Sequence, residues 1–135
     1  MITFLRVRYR VRSIVAVYFD RGFAKVSVFL VHFIGEEDTP SRCWVIVGDI
    51  PPACIDAESN KNGAMALAGY VYEMRRWIDA TRTGSSTRTC IPVLNRGSLV
   101  PLEPDVSLVE MLEGRLKFIE QNLLTLWEDE LELAT

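Results

Sequence analysis

The sequence predicts an α+β fold in which a three-stranded antiparallel meander packs against a two-helix antiparallel hairpin. Two observations carry this prediction: β-branched and aromatic residues dominate up to residue 50, and apolar residues recur at helical spacing after residue 59. The length of 135 residues suits one domain. We expect a sheet over residues 1–50, a turn over 51–58, a helix over 59–82, a loop over 83–104 and a second helix over 105–131.

The first two strands are predicted from the N-terminal pattern. Residues 4–11 alternate between apolar and basic side chains, which is typical of a half-buried strand because successive side chains point to opposite faces. Residues 13–19 continue as a β-branched and aromatic run that suits a more buried strand. The Asp-Arg-Gly sequence at 20–22 favours a turn, and the near-continuous apolar run over 24–34 predicts a central returning strand.

A third strand is predicted over residues 42–50, after the polar loop 35–40. Pro51 and Pro52 end this strand, since proline cannot donate a hydrogen bond to a ladder. The segment 90–93 has the character of a short fourth strand at an edge. The three main strands follow one another with short links, so we expect them to form an antiparallel meander.

Two helices are predicted in the second half of the chain. The first carries an apolar stripe at helical spacing, formed by Leu67, Tyr70, Val71, Met74, Trp77 and Ile78. The second is expected to begin with a capping box, in which Ser107 precedes Glu110 by three residues. Its apolar stripe comprises Leu108, Leu112, Leu116, Ile119, Leu123, Leu126 and Trp127. Because the two helices have comparable lengths, we expect them to pair as a hairpin over one face of the sheet.

Charge is strongly polarised along the chain, although the net charge is only −3. In residues 1–26 six basic residues stand against one acidic residue, whereas residues 104–135 carry eight acidic residues against two basic ones. The two ends can neutralise each other, within one chain or across a dimer, or each can bind a separate partner of opposite charge. The sequence alone leaves these alternatives open.

The residue types present argue against several classes of protein. The longest apolar stretches are far shorter than the roughly 20 residues of a membrane-spanning helix, and the N-terminus lacks the pattern of a secretory signal. Three cysteines without C-x-x-C spacing and a single histidine, His32, provide no zinc-ligand pattern. We recognise neither a Ser-His-Asp set nor a nucleotide-binding loop. We therefore predict a cytoplasmic protein without membrane association, metal or cofactor.

Two segments are candidate ligand sites. The first lies between the third strand and the first helix, where carboxylates can bind a divalent cation or assist a cysteine nucleophile. Its candidate residues are Asp49, Cys54, Asp56 and Glu58. The alternative is that they cap the helix and anchor the turn. In the second segment, Arg82 and Arg88 stand among hydroxyl side chains that suit an anion, although a helix C-terminus repels anions.

Two further segments are candidate partner-binding surfaces. The basic one is the arginine face of the first strand, formed by Arg6, Arg8, Arg10 and Arg12. The acidic one lies near the C-terminus and comprises Trp127, Glu128, Asp129 and Glu130. An aromatic residue among carboxylates can anchor a protein partner, or the segment can be a fraying helix end. Nucleic acid is not the expected ligand of the arginines, because the chain as a whole is acidic.

The leading functional hypothesis is a non-enzymatic protein-interaction module that binds a protein partner or forms a homodimer. The size and acidity are typical of small bacterial-type proteins such as immunity-type inhibitors, chaperones and adaptors, although no motif selects one of these classes. A small enzyme or ligand-binding domain that uses residues 49–58 is the alternative. Nucleic-acid binding through the arginine face is the third hypothesis.

Overall fold

The computed structural model describes residues 11–23, 26–35, 38, 40–95, 98–124 and 127–133. Its elements confirm the predicted α+β class, with a four-stranded antiparallel sheet followed by two main helices. The strand predicted over residues 4–11 lies outside the described residues except for Val11. The α+β class is therefore established by the strands and helices from residue 11 onward.

The sheet consists of β1 (Val11–Phe23), β2 (Val26–Gly35), β3 (Pro40–Gly48) and β4 (Ala53–Asp56). Neighbouring strands pair antiparallel in chain order, so the predicted meander is present and has one more strand than expected. Within the described part of the chain, β1 and β4 are the two edges of this sheet.

The end of the first strand differs from the prediction. Residues 20–22 do not turn the chain; they continue β1, where Gly22 pairs with Ser27 of β2. The ladder is irregular between Phe19 and Arg21, which is where the Asp-Arg-Gly sequence lies. Residue types that favour turns also occur at such bulges, because both distort the strand locally.

The fourth strand is β4, not the predicted segment at 90–93. After Pro51 and Pro52 the chain returns antiparallel to β3, with Cys54 paired to Val45, inside the segment predicted as a turn. The two prolines lie in the connection between β3 and β4, where they are compatible with a strand that starts directly after them. Residues near 93 form β5 (Val93–Asn95), which pairs with β6 (Ser98–Val100) in a separate two-stranded sheet.

Helix α1 spans Gly63–Thr83, close to the predicted helix over 59–82. The side chain of Asn62 caps its N-terminus by accepting a hydrogen bond from the backbone N–H of Met65 at 2.9 Å. Gly84 ends the helix with a φ of +70°, which glycine adopts without the steric penalty that other residues meet.

The second helical region is not one continuous helix over 105–131. Helix α2 (Val106–Phe118) continues into a π-helical segment (Ile119–Leu124), and a short helix α3 (Glu128–Leu133) comes after it. Asp105, not Ser107, caps α2, because its carboxylate accepts from the backbone N–H of Ser107 at 2.9 Å. A π-helical turn shifts the side-chain spacing, which simple 3.6-residue periodicity does not reveal.

The main core lies between one face of the sheet and the helices. Strands β2 and β3 contribute Val28, Trp44 and Ile46, and the helical regions contribute Leu67, Tyr70, Met74, Trp77, Leu112, Leu116, Ile119 and Leu123. A second buried cluster occupies the opposite face and comprises Val31, Phe33, Cys43, Val45 and Cys54. The central strands are thus buried on both faces, as the apolar run over 24–34 predicted for β2.

Three buried aromatic residues donate hydrogen bonds from their side chains to backbone carbonyls in the loops around this core. The indole N–H groups of Trp44 and Trp77 donate to the backbone carbonyls of Asn60 and Leu102 at 2.7 and 2.8 Å. The hydroxyl of Tyr70 donates to the carbonyl of Pro51 at 2.7 Å, and burial raises the pKa of this hydroxyl well above its usual value. Tyr70 therefore stays neutral, as a donor must.

Ion pairs connect α1 to the next helical region. The Arg82 guanidinium lies 2.6 Å from the Glu113 carboxylate, and Arg75 Nε donates to Glu120 at 2.9 Å. All four side chains are partly exposed, so each pair contributes little free energy on its own. The predicted antiparallel hairpin of α1 and α2 over the sheet remains a prediction.

Candidate interaction surface

An exposed apolar strip runs along the middle of edge strand β1. Its members are Val15, Val17, Tyr18 and Phe19, which are exposed by 63%, 39%, 55% and 63%. We call these four residues the β1 strip. The prediction of a more buried strand over 13–19 is wrong in this respect, because the described part of the sheet covers β1 on one side only.

The β1 strip is held in place by its pairing with β2. Val17 pairs with Val31, Tyr18 with Leu30 and Phe19 with Phe29 in consecutive register. The rings of Phe19 and Phe29 meet edge to face with their centroids 5.5 Å apart. Such cross-strand pairs hold the strand in place while its outer side remains in water.

Irregularities in the β1–β2 ladder lie on either side of this regular run. Two irregularities precede the run, between Val11 and Ser13 and between Ile14 and Ala16, and a third follows it, between Phe19 and Arg21. Bulges bend a strand and discourage pairing with other chains where they occur. The run from Ala16 to Phe19 lacks such a bulge and is the part of the edge best suited to accept another strand.

One end of the β1 strip is fixed to the helices. The Asp20 carboxylate accepts a hydrogen bond from Arg21 and lies against Gly63, the first residue of α1. The helix dipole stabilises a negative charge at this position. The Arg21 guanidinium lies over the ring of Trp127, 4.7 Å from its centroid. Here a basic residue of the N-terminal half meets the C-terminal segment within one chain.

The residues that the sequence predicted to bind partners do not form part of the β1 strip. Arg6, Arg8 and Arg10 lie outside the described residues, and of Arg12 only the backbone is described, within β1. Trp127 is half-buried against the main core, which leaves little of its ring to anchor a partner.

The acidic residues of the C-terminal segment lie at the start of α3. Glu128 and Asp129 are exposed there, and of Glu130 only the backbone is described, within the same helix. Further along the acidic region, the carboxylates of Glu113 and Glu120 pair with Arg82 and Arg75 of α1. The neutralisation predicted for the two ends of the chain stays a prediction, because Arg21 meets the C-terminal segment at the neutral ring of Trp127.

The four candidates of the 49–58 segment do not converge on one site. Asp49 accepts a hydrogen bond from Arg115 at 2.7 Å, Cys54 is buried in the second cluster, and Glu58 is exposed. Within the described ranges, no group of three or more His, Cys, Asp or Glu side chains is placed to hold a metal ion.

Asp56 organises the turn that leaves β4. Its carboxylate accepts from the Ser59 hydroxyl at 2.8 Å and from the backbone N–H groups of Glu58 and Ser59 at 3.0 Å. These hydrogen bonds, with the Ser59 hydroxyl first, lower the pKa of Asp56 below its usual value. The helix cap itself is Asn62, so this carboxylate stabilises the approach to α1 and not its first turn.

The two arginines of the predicted anion segment have separate surroundings. Arg82, in the last turn of α1, forms the ion pair with Glu113. Arg88 is exposed in the loop after Gly84, and its backbone N–H donates to the Ser86 hydroxyl at 3.2 Å. The structure shows no arrangement in which these side chains act together on an anion within the residues it describes.

His32 lies on β2, where it pairs with Ala16 of β1. Its ring is half-buried and meets the ring of Tyr18 at a right angle, with the centroids 5.3 Å apart. The ring of His32 therefore takes part in the packing between β1 and β2.

A cleft with a volume of about 410 Å³ opens between β4, α1 and the loop 89–92. We call it the α1–β4 cleft. Tyr72, which is 65% exposed, and the Arg76 guanidinium both line it. Arg76 lies 3.1 Å from Glu73 and donates to the Thr89 hydroxyl at 3.4 Å. The cleft can accept a small polar group, although its guanidinium is already paired.

Sequence reasoning missed both the β1 strip and this cleft. Tyr72 lies off the apolar stripe of α1, which was an available signal for an exposed aromatic residue. Within the described helices, none is long and apolar enough to cross a membrane. No protein-family model matches the chain, and no curated protein or solved structure is detectably similar to it.

Proposed function

We propose that this protein is a protein-interaction module whose binding surface is the β1 strip. The observation that carries the proposal is the exposure of four neighbouring apolar side chains on an edge strand. Clustered exposed apolar side chains are uncommon on monomeric proteins and mark interaction sites. The sequence supports the same hypothesis, because it lacks a catalytic constellation.

The chemistry of the strip favours an extended polypeptide as its ligand. An edge strand offers backbone N–H and C=O groups in a row, and a second strand can pair with these groups. Valine and aromatic side chains on both faces of β1 then cover the side chains of the added strand. We place this module in the cytoplasm, because its three cysteines are an odd number without C-x-x-C spacing, which does not favour a disulfide framework.

The proposal is tested by site-specific photo-crosslinking in the native cell. A photoreactive amino acid replaces Phe19 in the full chain, and a matched variant carries it at Val106, which is also exposed but lies on α2. We expect one stoichiometric product that mass spectrometry identifies from position 19 and none from position 106. Absence of any product at position 19, or equal products at both positions, contradicts the proposal.

A second candidate function is ligand binding in the α1–β4 cleft. The observation that favours it is the presence of an exposed tyrosine and a guanidinium around one cavity. A panel of small anions and amino acids is titrated against the protein while its melting temperature is recorded. We expect any ligand of this cleft to lose its stabilising effect in R76A and to keep it in R88A, whose arginine lies outside the cleft. A ligand whose effect is equal in both variants binds elsewhere.

A further inference from the structure

We infer that the β1 strip binds a second copy of this chain, and that the two β1 strands pair antiparallel around a twofold axis at Val17. This inference rests on the proposed function and names the partner of the same surface. The resulting dimer would contain one continuous sheet of eight strands, four from each copy.

The length of β1 favours this axis. The strand runs from Val11 to Phe23, so Val17 is its central residue. Val17 is also the middle of the β1 strip, which extends from Val15 to Phe19, so an antiparallel pairing centred there matches the strip with itself. A twofold axis normal to the sheet also brings side chains of the same face opposite each other, as strand pairing requires.

The exposed side chains complement one another in this register. Val15 comes opposite Phe19 of the partner subunit, and the reverse pair is identical by symmetry. Between them, Ala16 comes opposite Tyr18 of the partner subunit, and Val17 meets its own copy. Each large ring thus faces a smaller side chain, and all members of the β1 strip meet apolar residues.

The charges of the strand also permit this pairing. Asp20 and Arg21 bind each other within one chain, and the register places them opposite Ile14 and Ser13, so no like charges meet. A pairing centred on Tyr18 instead would place Asp20 opposite Ala16 and Arg21 opposite Val15. That alternative places a member of the β1 strip, Val15, opposite a charge, whereas the register centred on Val17 places every member of the strip opposite an apolar residue.

The size of the contact predicts a weak dimer. Stable interfaces bury about 800 Å² on each partner, whereas one strand edge provides a smaller area. We therefore expect association that depends on protein concentration and exchanges rapidly, with a dissociation constant on the order of micromolar or weaker.

The first test measures the molecular mass of the purified full chain by sedimentation over a hundredfold range of concentration. We expect the wild-type mass to rise toward that of a dimer, and we expect F19E to remain monomeric. V106E, a matched charge on α2, keeps the wild-type behaviour. A wild-type protein that stays monomeric throughout, or an F19E protein that associates normally, overturns the inference.

A charge-pair variant then tests the register. Residues 15 and 19 of one β1 strand are separated by four positions, roughly 13 Å along an extended chain, so new charges there cannot pair within a copy. In the proposed register they face each other between copies. We expect V15K/F19E to recover association that F19E loses, and the recovery to disappear at high salt. Failure of the double variant to associate contradicts this register.

A cysteine at the axis gives an independent readout. V17C places two thiols opposite each other, at a Cα separation of about 5 Å that suits a disulfide. We expect mild oxidation to yield a covalent dimer of V17C and none of V106C. A dimer that forms equally in both overturns the axis. If position 19 crosslinks to a different protein in cells while the purified chain stays monomeric, the inference fails and the proposed function stands.

Discussion

Strands β1 and β3 have similar local sequences and opposite surroundings. Residues 14–19 of β1 and 43–47 of β3 are both β-branched and aromatic runs, and either one alone predicts a buried strand. In β3, Val45 and Ile46 are fully buried, whereas Val15 and Phe19 of β1 are each 63% exposed. The difference comes from the neighbours: β3 lies between two strands and beneath α1, while β1 is the edge of the described sheet.

This comparison teaches that burial is set by position in the sheet and not by local composition. Apolar residues on a central strand lower the free energy of the folded chain because they leave water on folding. The same residues on an edge remain partly in water until another strand covers them. The apolar residues of the central strand therefore contribute to stability, whereas those of the edge strand are the basis of the binding proposed above.

The largest expected effect tests the two strands directly. We expect I46A to lower the free energy of unfolding by about 3 kcal/mol, because it leaves a cavity in the main core. V15A, a matched truncation on the edge, should change it by less than about 0.5 kcal/mol. Urea unfolding of the monomeric protein measures both. Equal losses in the two variants would show that β1 is as buried as β3.

A smaller effect is expected where aromatic residues fix connections to the core. W77F removes the indole N–H that donates to Leu102 and leaves a partly buried carbonyl without this donor. We expect a loss of about 2 kcal/mol. Y72F removes a hydroxyl from an exposed ring and should change the free energy of unfolding by less than about 0.5 kcal/mol. Similar losses of free energy in W77F and Y72F would contradict the role given to the hydrogen bond of the Trp77 indole.

The next largest effect on stability is expected at Gly63, where Asp20 and Arg21 of β1 lie against the start of α1. A Cβ atom at Gly63 would lie 2.8 Å from Asp20 Cγ and 2.9 Å from Arg21 Nε, so both side chains must move. We expect G63A to lower the free energy of unfolding by about 1 kcal/mol, because of this crowding.

Gly114 is the matched control, because nothing lies within 4 Å of a Cβ there. G114A should raise the free energy of unfolding by about 0.5 kcal/mol, since alanine suits a helix better than glycine. A gain in both variants would mean that Asp20 and Arg21 are not held against the start of α1.

The class of the main elements could be predicted because their signals are local. The apolar stripe of α1 and the near-continuous apolar run of β2 each depend on residues close in sequence. Strand β4 could not be predicted in the same way, because four residues after two prolines carry no readable period. Its place is fixed by pairing with β3, a contact that no local pattern encodes.

The candidate site was harder to predict than the fold. The residue types of the β1 strip indicate a strand, but its exposure depends on which strands lie beside it. The carboxylates of residues 49–58 are close in sequence, yet Asp49 and Asp56 bind Arg115 and Ser59, respectively. Sequence proximity brought these residues into one hypothesis, and the strand between them sends their side chains to different partners.

An effect similar in size to that at Gly63 is expected at the other edge of the sheet, where Asp56 ends β4. Its pKa is lowered in the folded protein, so the unfolded state binds more protons between the folded and the unfolded pKa. The stabilisation is therefore present above about pH 4 and is lost as the pH falls through the folded value. We expect D56A to cost about 1 kcal/mol at pH 7, because the Ser59 hydroxyl and the backbone N–H groups of Glu58 and Ser59 lose their acceptor. The difference from wild type should shrink below about pH 4.

Denaturant unfolding from about pH 7 down to about pH 2.5 spans this range and measures the dependence, with E58A as the neighbouring control. The side chain of Glu58 is exposed, so E58A should change the free energy of unfolding by less than about 0.5 kcal/mol at neutral pH. A D56A loss that persists unchanged at low pH would mean that the charge of Asp56 is unimportant to the turn. The β4 edge is thus stabilised by a short polar turn of its own chain, whereas the β1 edge carries apolar side chains that are exposed to water.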